Sequence, residues 1–262
     1  MSTEFDEPRL EQLERAIAVL RAFDAAHPQL TVSEVAQLTD TTRASARRIL
    51  LTFQSLGLLR SEGRYFSLTP RVLELGWNYF SSLGVDEIAK PLMRDLVDTI
   101  HESCSMATLD LPDIVYIARV HTKRLMTISG GIGSRLPAHA TASGQVLLGA
   151  LSEEQLDRYL AEPHESFTSD TVTDPEELRR LVASVRARGW ALNDGALEVG
   201  LRSIAVPVCD RSGVLVAALS VSSNSARTTL KDLRQRCLPA LQETARAISI
   251  GLSRSDAREG LA

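Results

Sequence analysis

The sequence predicts an α+β fold in two domains: an N-terminal winged helix-turn-helix domain, then a larger domain built on an antiparallel sheet. In the N-terminal part, apolar residues with helical spacing precede two short strands. In the C-terminal part, strands joined by tight turns are preceded and followed by helical stretches. That order favours a sheet covered by helices over a doubly wound parallel fold. The length of 262 residues, 44% of them hydrophobic, suits about two domains.

The N-terminal elements follow from apolar spacing and stop signals. A first helix is predicted from five apolar positions: Leu10, Leu13, Ile17, Leu20 and Phe23. It ends before Pro28. Thr31 or Ser33 can cap a short second helix, and a polar turn at residues 40–42 leads into the next one. That helix carries Ala46, Ile49, Leu50, Phe53 and Leu56, and Gly57 ends it.

Two strands, residues 58–60 and 64–68, flank a glycine-containing turn and predict a β-hairpin. Residues 72–83 continue at helical spacing but carry few apolar side chains, which indicates a linker helix. The predicted domains are therefore a winged helix-turn-helix domain at residues 1–69, a linker helix at 70–84 and a second domain at 85–262.

The second domain is predicted to open with a helix over residues 88–100 and to close with a helix over residues 230–252. Strands are expected at residues 106–109, 114–119, near 126–129, 203–208 and 214–222. Helices are expected at residues 143–151, 153–159 and 175–188.

Composition excludes several classes of protein. Charged residues interrupt the apolar run near the N-terminus, so we expect neither a signal peptide nor a membrane span. We therefore expect the protein to be cytoplasmic. Cys104, Cys209 and Cys237 are far apart and lack metal-site spacing, so we expect neither disulfides nor a structural metal. We expect no cofactor.

A local basic surface points to nucleic acid, although the whole chain has a net charge of −4. Residues 28–71 hold six arginines and three acidic residues, a local charge of +3. In the helix of residues 43–56, Arg43 and Arg47 stack one turn apart, Arg48 lies beside them, and the apolar side chains lie opposite. Arginine suits the major groove because its planar fork binds guanine or phosphate with two hydrogen bonds.

Further contacts to DNA are expected around this helix. Thr41, Thr42 and Ser45 can donate to phosphates or base edges, while Arg60 and Arg64 of the hairpin can contact the backbone or minor groove. Two alternatives remain open. The helix can be an ordinary solvated face, or the domain can serve only for protein contacts. The basic hairpin and the basic helix edge in an otherwise acidic chain favour DNA.

The segment LTVSEVAQLTDTTRASARRIL at residues 30–50 resembles the DNA-binding domain of the IclR family of bacterial regulators. Asp40 replaces the family's usual turn glycine and Ala46 its usual Val or Ile. Asp adopts a left-handed backbone conformation more readily than most residues, and Ala only reduces the packing contacts of the helix. Both substitutions are therefore compatible with the motif. Segments 136–148 and 188–208 resemble the family's two effector-domain signatures. The resemblance implies a GAF/PAS-like effector domain and homodimers or homotetramers.

The same segments predict a pocket. Thr141, Ala142 and Ser143 begin a helix whose N–H groups would receive a carboxylate. Hydroxyl and amide side chains on or beside strands would bind a polar ligand or satisfy one another. Positions that match the family's effector site complete the predicted set: Thr141, Ala142, Ser143, Asn193, Ser203, Ser220 and Ser222.

Catalysis is the alternative to sensing. The alternative is a GAF-like hydrolase or thiol reductase. A hydrolase would need a base and an orienting acid with Ser143, for which His139 is the nearest candidate, and a thiol reductase would need a cysteine near a base. No such set of residues is recognisable in the sequence. His139 is a minor ligand candidate that is better explained by packing. Residues 130–133 are glycine-rich but lack the Lys-Ser/Thr of a phosphate loop, so a turn is predicted. We therefore expect no catalytic residues.

Segments 42–53, 126–129, 133–137 and 200–208 resemble the branch of the family that regulates protocatechuate, p-hydroxybenzoate and β-ketoadipate catabolism. That resemblance implies double-stranded operator DNA as one partner and an aromatic or dicarboxylic acid as effector. No membrane partner is expected.

Overall fold

A computed structural model describes residues 10–76, 85–122, 131–210 and 212–259, with side chains for all of these except 86 and 253–259. The chain divides into two compact units, Met1–Tyr79 and Phe80–Ala262. The predicted linker helix is described only to residue 76, where a 3-10 turn at Pro70–Leu73 leads into helix. Its extent and the domain limits therefore stay predictions, and the strand expected near residues 126–129 lies outside the described residues.

The first unit has the predicted order of three helices and a hairpin. Its helices are α1 (Glu11–Arg21), α2 (Val32–Leu38) and α3 (Arg43–Ser55). Its strands are β1 (Leu30–Thr31), β2 (Leu59–Glu62) and β3 (Tyr65–Leu68). They form an antiparallel sheet in the order β1-β3-β2. Strand β1 was not predicted, because two residues are too few for a period-two pattern.

Capping side chains set the limits of α2 and α3. The choice between Thr31 and Ser33 falls on Thr31, whose backbone N–H donates to Glu34 Oε2 at 2.7 Å in a capping box. Asp40 adopts the left-handed conformation expected of the turn, with φ of 48°. Gly57 ends α3 at φ of 76°. The turn and both helices therefore form the predicted helix-turn-helix.

Among the described residues, the second unit contains six α-helices, and the start of one of them, α5, borders the candidate ligand cavity. The helices are α4 (Lys90–Ile100), α5 (Ala142–Leu148), α6 (Glu153–Ala161), α7 (Pro175–Arg188), α8 (Leu230–Asp232) and α9 (Leu238–Glu259). A π-helical turn precedes α4 at Val85–Ala89, and another joins α8 to α9 at Leu233–Cys237.

The strands of the second unit form one antiparallel sheet. They are β4 (Ser103–Asp110), β5 (Asp113–Val120), β6 (Arg135–Pro137), β7 (Ala191–Asp194), β8 (Leu201–Cys209) and β9 (Leu215–Asn224). Their order is β6-β5-β4-β9-β8-β7. The predicted α+β class is confirmed. Strands β6 and β7 were not predicted; they are short strands of three and four residues at the two edges of the sheet.

Helices cover both faces of this sheet. On one face, α4 and α9 pack on large apolar side chains that include Met106, Ile204 and Leu219. On the other face, α5, α6 and α7 pack against small residues that include Ala107, Ala205 and Ala218. Small sheet residues let α5 approach closely, and this second face holds the candidate ligand cavity. Within the described ranges, no helix has both the length and the hydropathy needed to span a bilayer.

Candidate nucleic-acid interface and ligand cavity

Helix α3 has an apolar side that anchors it and a basic side that is free to bind. Ala46 and Leu50 are fully buried in the core of the first unit. Arg43, Arg47 and Arg48 are exposed, and their guanidinium groups have no hydrogen bond or ion pair to other described residues. The helix therefore presents three guanidinium groups to solvent, as a helix that binds in the major groove must do.

Arg48 faces a different direction from its neighbour Arg47. It lines a groove between α3 and α1 with Gln12 and Arg15, whereas Arg47 does not. Successive residues on a helix point about 100° apart, so Arg47 and Arg48 face different parts of the surroundings of α3. Arg47 lies one turn after Arg43 and continues its row.

The other predicted DNA contacts lie close to this surface. Thr42 is the N-cap of α3 and its hydroxyl accepts from Ser45 N at 3.2 Å, while the hydroxyls of Thr41 and Thr39 are 3.0 Å apart. On the hairpin, Arg60 Nε donates to Ser67 Oγ at 3.1 Å. Arg64 donates to the Tyr65 hydroxyl at 3.0 Å, and that hydrogen bond raises the pKa of Arg64. Both wing arginines are held by neighbouring hydroxyls and stay exposed.

A cavity in the second unit brings together every residue predicted for effector binding. Its wall is built by β5, β7, β8 and β9 and by the start of α5. The predicted residues in it are Thr141, Ala142, Ser143, Asn193, Ser203, Ser220 and Ser222. The cavity also contains residues that the sequence did not single out: Tyr116, Leu136, Ala140, Leu197 and Leu201. Apolar spacing alone cannot show which core side chains border a cavity.

The polar residues of the wall differ in whether the protein already uses them. Asn193 donates to Ala140 O at 2.9 Å and accepts from Ala196 N at 3.0 Å, and the Ser220 hydroxyl donates to Ser105 O at 3.3 Å. By contrast, Ser203 and Ser222 are a cross-strand pair whose hydroxyls have no partner among the described residues. The Ser143 hydroxyl is likewise without one. These three hydroxyls are available to a ligand.

At the start of α5, the structure gives the Thr141 side chain a capping role. Thr141 caps α5, its hydroxyl accepting from Gly144 N at 3.1 Å and donating to Pro137 O at 3.2 Å, so this side chain is already engaged. Helix α5 is also only seven residues long, which limits its dipole. Binding of a carboxylate by the N–H groups of this helix end stays a prediction.

A cation adjoins the cavity wall at a position that the sequence analysis missed. Register shifts between Met106 and Ala107, so Ser105 pairs with Arg119 while Ala107 pairs with Tyr116. Side chains three apart on a regular strand point to opposite faces, and this bulge brings Arg119 and Tyr116 to the same face. The Arg119 guanidinium lies 4.6 Å from the centre of the Tyr116 ring, and its Nε donates to Ser105 Oγ at 3.2 Å. A bulge leaves no signal in sequence periodicity.

Burial raises the pKa of the Tyr116 hydroxyl, against the opposing effect of Arg119. The phenol is therefore neutral at physiological pH, and it can donate a hydrogen bond into the cavity. Beside it, Arg119 supplies the positive charge that favours an acidic ligand.

The cavity is small, with a volume of about 20 Å³, enough for roughly one water molecule. Leu197 borders it from a loop at residues 195–200, whose end glycines, Gly195 and Gly200, have φ of 81° and 85°. The hydroxyls of Thr168 and Thr171 hold this loop, donating to Gly195 O at 2.8 Å and to Ala196 O at 2.6 Å. A ligand larger than water must displace side chains to enter.

His139 has a structural role, as the packing explanation predicted. It is only 4% exposed, and its Nε2 lies 2.9 Å from Glu165 O, which it contacts as donor. Its backbone N donates to the Tyr159 hydroxyl at 3.1 Å. His139 does not line the cavity with Ser143. The imidazole is committed to a carbonyl, which leaves Ser143 without the base that a hydrolase needs.

The cysteines are protonated thiols. Burial raises the pKa of Cys104 far above its ordinary value, and it also raises those of Cys209 and Cys237. A redox-active cysteine has the opposite shift. In the described part of the chain, no three His, Cys, Asp or Glu side chains are grouped to hold a metal ion. The described part of the glycine-rich segment, residues 131–133, forms a turn in which Ser134 N donates to Gly131 O at 3.2 Å.

Comparison with known families matches both units. Residues 12–63 match the IclR helix-turn-helix domain. Residues 77–250 match the model described as bacterial transcriptional regulator IclR C-terminal. The two matches together cover most of the chain.

Individual relatives agree with these matches. A Pca regulon regulatory protein of Pseudomonas putida is 42% identical over 90% of this chain and 82% of its own length. A protein of Rhodococcus sp. RHA1, described as a transcriptional regulator, has a TM-score of 0.83 and 44% identity over 94% of this chain and all of its own. An IclR homologue from Microbacterium hydrocarbonoxydans, solved with 4-hydroxybenzoate, has a TM-score of 0.82 and 26% identity, over 93% of this chain and 99% of its own.

Proposed function

The chain belongs to the IclR family of bacterial transcriptional regulators, and from that membership we propose an acid effector for its cavity and an operator contact for its basic helix. It is a ligand-responsive DNA-binding regulator and not an enzyme. The proposed effector is an aromatic or dicarboxylic acid, and the controlled genes serve aromatic-acid catabolism. The protein acts as a homodimer or homotetramer on double-stranded operator DNA.

One observation carries the proposal for the cavity: all seven predicted residues line a single space that also has free hydroxyls and an adjacent guanidinium. Ser143, Ser203 and Ser222 can donate to a carboxylate. Leu136, Leu197 and Leu201 offer apolar surface to a ring. The mixture of a few polar groups on an apolar wall is typical of small-molecule sites.

Relatives support the choice of acid. The Pseudomonas relative is named for the Pca regulon, and the Microbacterium structure holds 4-hydroxybenzoate. In that ligand a carboxylate and a phenol lie at opposite ends of one ring. The cavity of this chain offers hydroxyls from β8 and β9 and the phenol of Tyr116, which suits a molecule with two polar ends.

For DNA, the proposal rests on the exposed row of Arg43 and Arg47. Two copies would place two α3 helices into half-sites about one helical turn apart, as helix-turn-helix dimers do. Arg60 and Arg64 of the wing would contact the backbone beside each half-site.

A thermal-shift titration tests the effector proposal. The purified protein is heated with 4-hydroxybenzoate, protocatechuate or β-ketoadipate, and with the neutral 4-hydroxybenzyl alcohol as the control ligand. An acid at 100 times its Kd should add about 2.7 kcal/mol of stability, whereas the alcohol should add much less because it lacks the charge that Arg119 favours.

Ser203→Leu is the matched variant, because leucine fills the cavity and removes a free hydroxyl. The acid should no longer stabilise this variant, although operator binding persists. If none of the acids stabilises the wild type, the proposed effector class is wrong. Equal stabilisation of Ser203→Leu and wild type would place the site elsewhere.

A further inference from the structure

Two histidine rings are stacked in the second unit, close in the chain to residues that line the ligand cavity. The ring centres of His139 and His164 are 4.8 Å apart, and the ring centre of Tyr159 is 4.7 Å from that of His164. His139 directly precedes Ala140, which lines the cavity. Neither histidine lines the cavity itself. The stack is therefore a titratable group for which contact with the effector gives no role.

This stack accommodates a neutral His164 better than a charged one. The Nε2 atom of His164 is buried and has no hydrogen-bond partner among the described residues. In a neutral imidazole one ring nitrogen is only an acceptor, whereas in the imidazolium both nitrogens carry hydrogen and must donate. Protonation would therefore bury an N–H group without an acceptor and place a charge beside the His139 ring.

The electrostatic surroundings act in the same direction. Burial lowers the pKa of His164, and His139 lowers it further, while the carboxylate of Glu162 has the opposite effect. Burial raises the pKa of Tyr159 to about 12, so the phenol packed on His164 stays neutral and cannot balance a positive charge. Two further carboxylates lie near the stack: Glu165 is in an exposed residue, and Asp113 is paired with Arg135 at 3.0 Å.

The segment that carries His164 also holds the loop beside the cavity. We call residues 162–171, which follow α6, the tether segment. At one end of the connection, His139 Nε2 donates to Glu165 O at 2.9 Å. At the other end, the hydroxyls of Thr168 and Thr171 hold the loop of residues 195–200, from which Leu197 borders the cavity. The tether segment thus connects the stacked rings to one wall of the cavity.

We propose that protonation of His164 opens the ligand cavity. The charged ring leaves its place beside Tyr159 and His139, the tether segment moves with it, and the loop of residues 195–200 is released from the cavity wall. The inference adds a regulation to the site in the proposed function, and it rests on that proposal for the role of the cavity. Occupancy of the site then depends on pH as well as on the effector concentration.

The sign of the pH dependence follows from the closed arrangement. There the pKa of His164 is lowered, and on opening it returns toward its ordinary value of 6.5. The open arrangement therefore binds more protons, so the closed one keeps its full stability above about pH 6.5 and loses stability as the pH falls below that value. One titrating group changes the ratio of open to closed molecules by at most about tenfold for each pH unit.

Hydrogen–deuterium exchange of the full chain without effector tests the proposal. Two amides of the loop report its opening, since Gly195 N donates to Leu201 O at 2.8 Å and Ala196 N donates to Asn193 Oδ1 at 3.0 Å. Exchange is followed at pH 7.5 and pH 5.5, with labelling times scaled for the intrinsic rate. In the wild type, protection of residues 195–200 should fall about threefold to tenfold at the lower pH.

Two histidine variants are compared with the wild type. In His164→Gln, which keeps a polar side chain but does not titrate, protection of residues 195–200 should be the same at both pH values. His121→Gln is the matched control, because burial also lowers the pKa of His121 and that residue is not in the stack. This variant should behave like the wild type, and melting curves verify that both variants fold.

A variant of the tether separates the two ends of the connection. Thr168→Val combined with Thr171→Val removes both hydroxyls that hold the loop and leaves both imidazoles in place. Residues 163–167 should keep their pH-dependent protection, while residues 195–200 should exchange equally fast at both pH values. This comparison also decides the proposal if His164→Gln fails to fold.

Binding of 4-hydroxybenzoate tests the link to the ligand. Calorimetry at pH 6.0 in two buffers of different ionisation enthalpy should show proton uptake on binding to the wild type and to His121→Gln, and less uptake on binding to His164→Gln. If 4-hydroxybenzoate does not bind at all, the effector class of the proposed function is wrong, and the exchange data still decide whether His164 controls the loop.

Three results would overturn the proposal. The first is protection of residues 195–200 in the wild type that does not change with pH. The second is a pH dependence that persists in His164→Gln or disappears in His121→Gln. The third is equal proton uptake by the wild type and His164→Gln when 4-hydroxybenzoate binds.

Discussion

At the scale of single residues, the sensing site depends on which polar groups remain unused by the fold. Asn193 bonds two segments of backbone, and Thr141 caps α5. Both are predicted site residues, but their polar atoms already hold the cavity wall in place. Ser203 and Ser222 keep their hydroxyls free on adjacent strands. We therefore expect substitutions of the first pair to disturb the wall, and substitutions of the second pair to weaken ligand binding.

Ser222 and its neighbour Ser223 provide a matched test of this distinction. Ser222→Ala should weaken effector binding about tenfold, since a hydrogen bond to a charged ligand is worth about 1.5–3 kcal/mol. Ser223 lies on the opposite face of β9 and does not line the cavity. Isothermal titration of both variants is the measurement.

Ser223→Ala should leave effector affinity unchanged. Its hydroxyl is buried without a partner, so its removal should keep or slightly raise the melting temperature. Equal losses of affinity in the two variants would show that the Ser222 hydroxyl has no direct role.

At the scale of elements, helix α5 depends on one glycine. A Cβ at Gly144 would lie 2.1 Å from Ala138 O, a distance that no adjustment of a side chain can relieve because the obstacle is backbone. Gly144→Ala should therefore destabilise the second unit by about 1–3 kcal/mol and lower effector affinity.

Gly131→Ala is the control for that variant, since a Cβ there meets nothing within 4 Å. Thermal melting and effector titration of both variants decide the matter. A Gly144→Ala protein that melts like Gly131→Ala would mean that α5 can shift away from Ala138 without cost.

The recognition helix supports a second prediction at this scale. Arg47→Ala should weaken operator binding by about 1–3 kcal/mol and relax sequence preference, because it removes a guanidinium group that is expected to hydrogen-bond to a base. Arg48→Ala should weaken binding to all sequences more evenly, since Arg48 lies in the groove toward α1. Fluorescence anisotropy on operator and on scrambled DNA measures both effects.

An exposed arginine on α7, Arg180, serves as the control for these two variants. Arg180→Ala should bind operator like the wild type, and all three should keep effector affinity. If Arg47→Ala loses affinity equally for operator and scrambled DNA, its role is phosphate contact and not base recognition.

The helices that could be predicted are those long enough to show a period. The spacing of Leu50 and Phe53 predicted α3, and the limits of α7 at Pro175–Arg188 match the predicted ones. Strands β1, β6 and β7 form because neighbouring strands offer hydrogen bonds to short segments. Such pairing depends on tertiary contacts that no local pattern contains.

At the scale of the whole molecule, the predicted site residues converge although they are spread over 82 positions of the chain, from Thr141 to Ser222. Motif resemblance indicated Thr141 through Ser222, and the structure places all seven around one cavity. Arg119 could not be found in this way, because the β-bulge that turns it toward Tyr116 is visible only in strand register. The sequence therefore predicted which residue types the site contains, but not the direction in which the Arg119 side chain points.

Thermodynamic linkage gives a prediction for the complete regulator. If effector binding changes operator affinity by some factor, operator must change effector affinity by the same factor. Effector titrations with and without saturating operator, and operator titrations with and without saturating effector, measure the two factors. In the Ser203→Leu variant both affinity factors should equal one, which means that effector and operator no longer affect each other's binding. Unequal factors would indicate that the oligomeric state changes during the titration.

The loop of residues 195–200 also affects how fast the regulator can respond. Since Leu197 borders a cavity with room for about one water molecule, we expect uptake of a ring to wait for the loop to leave its two threonine hydrogen bonds. Uptake then approaches a ceiling at high ligand concentration, set by the frequency of loop opening and not by diffusion. The measured affinity is the intrinsic affinity multiplied by the open fraction, so a stronger tether would raise the effector level needed for response without altering any contact to the ligand.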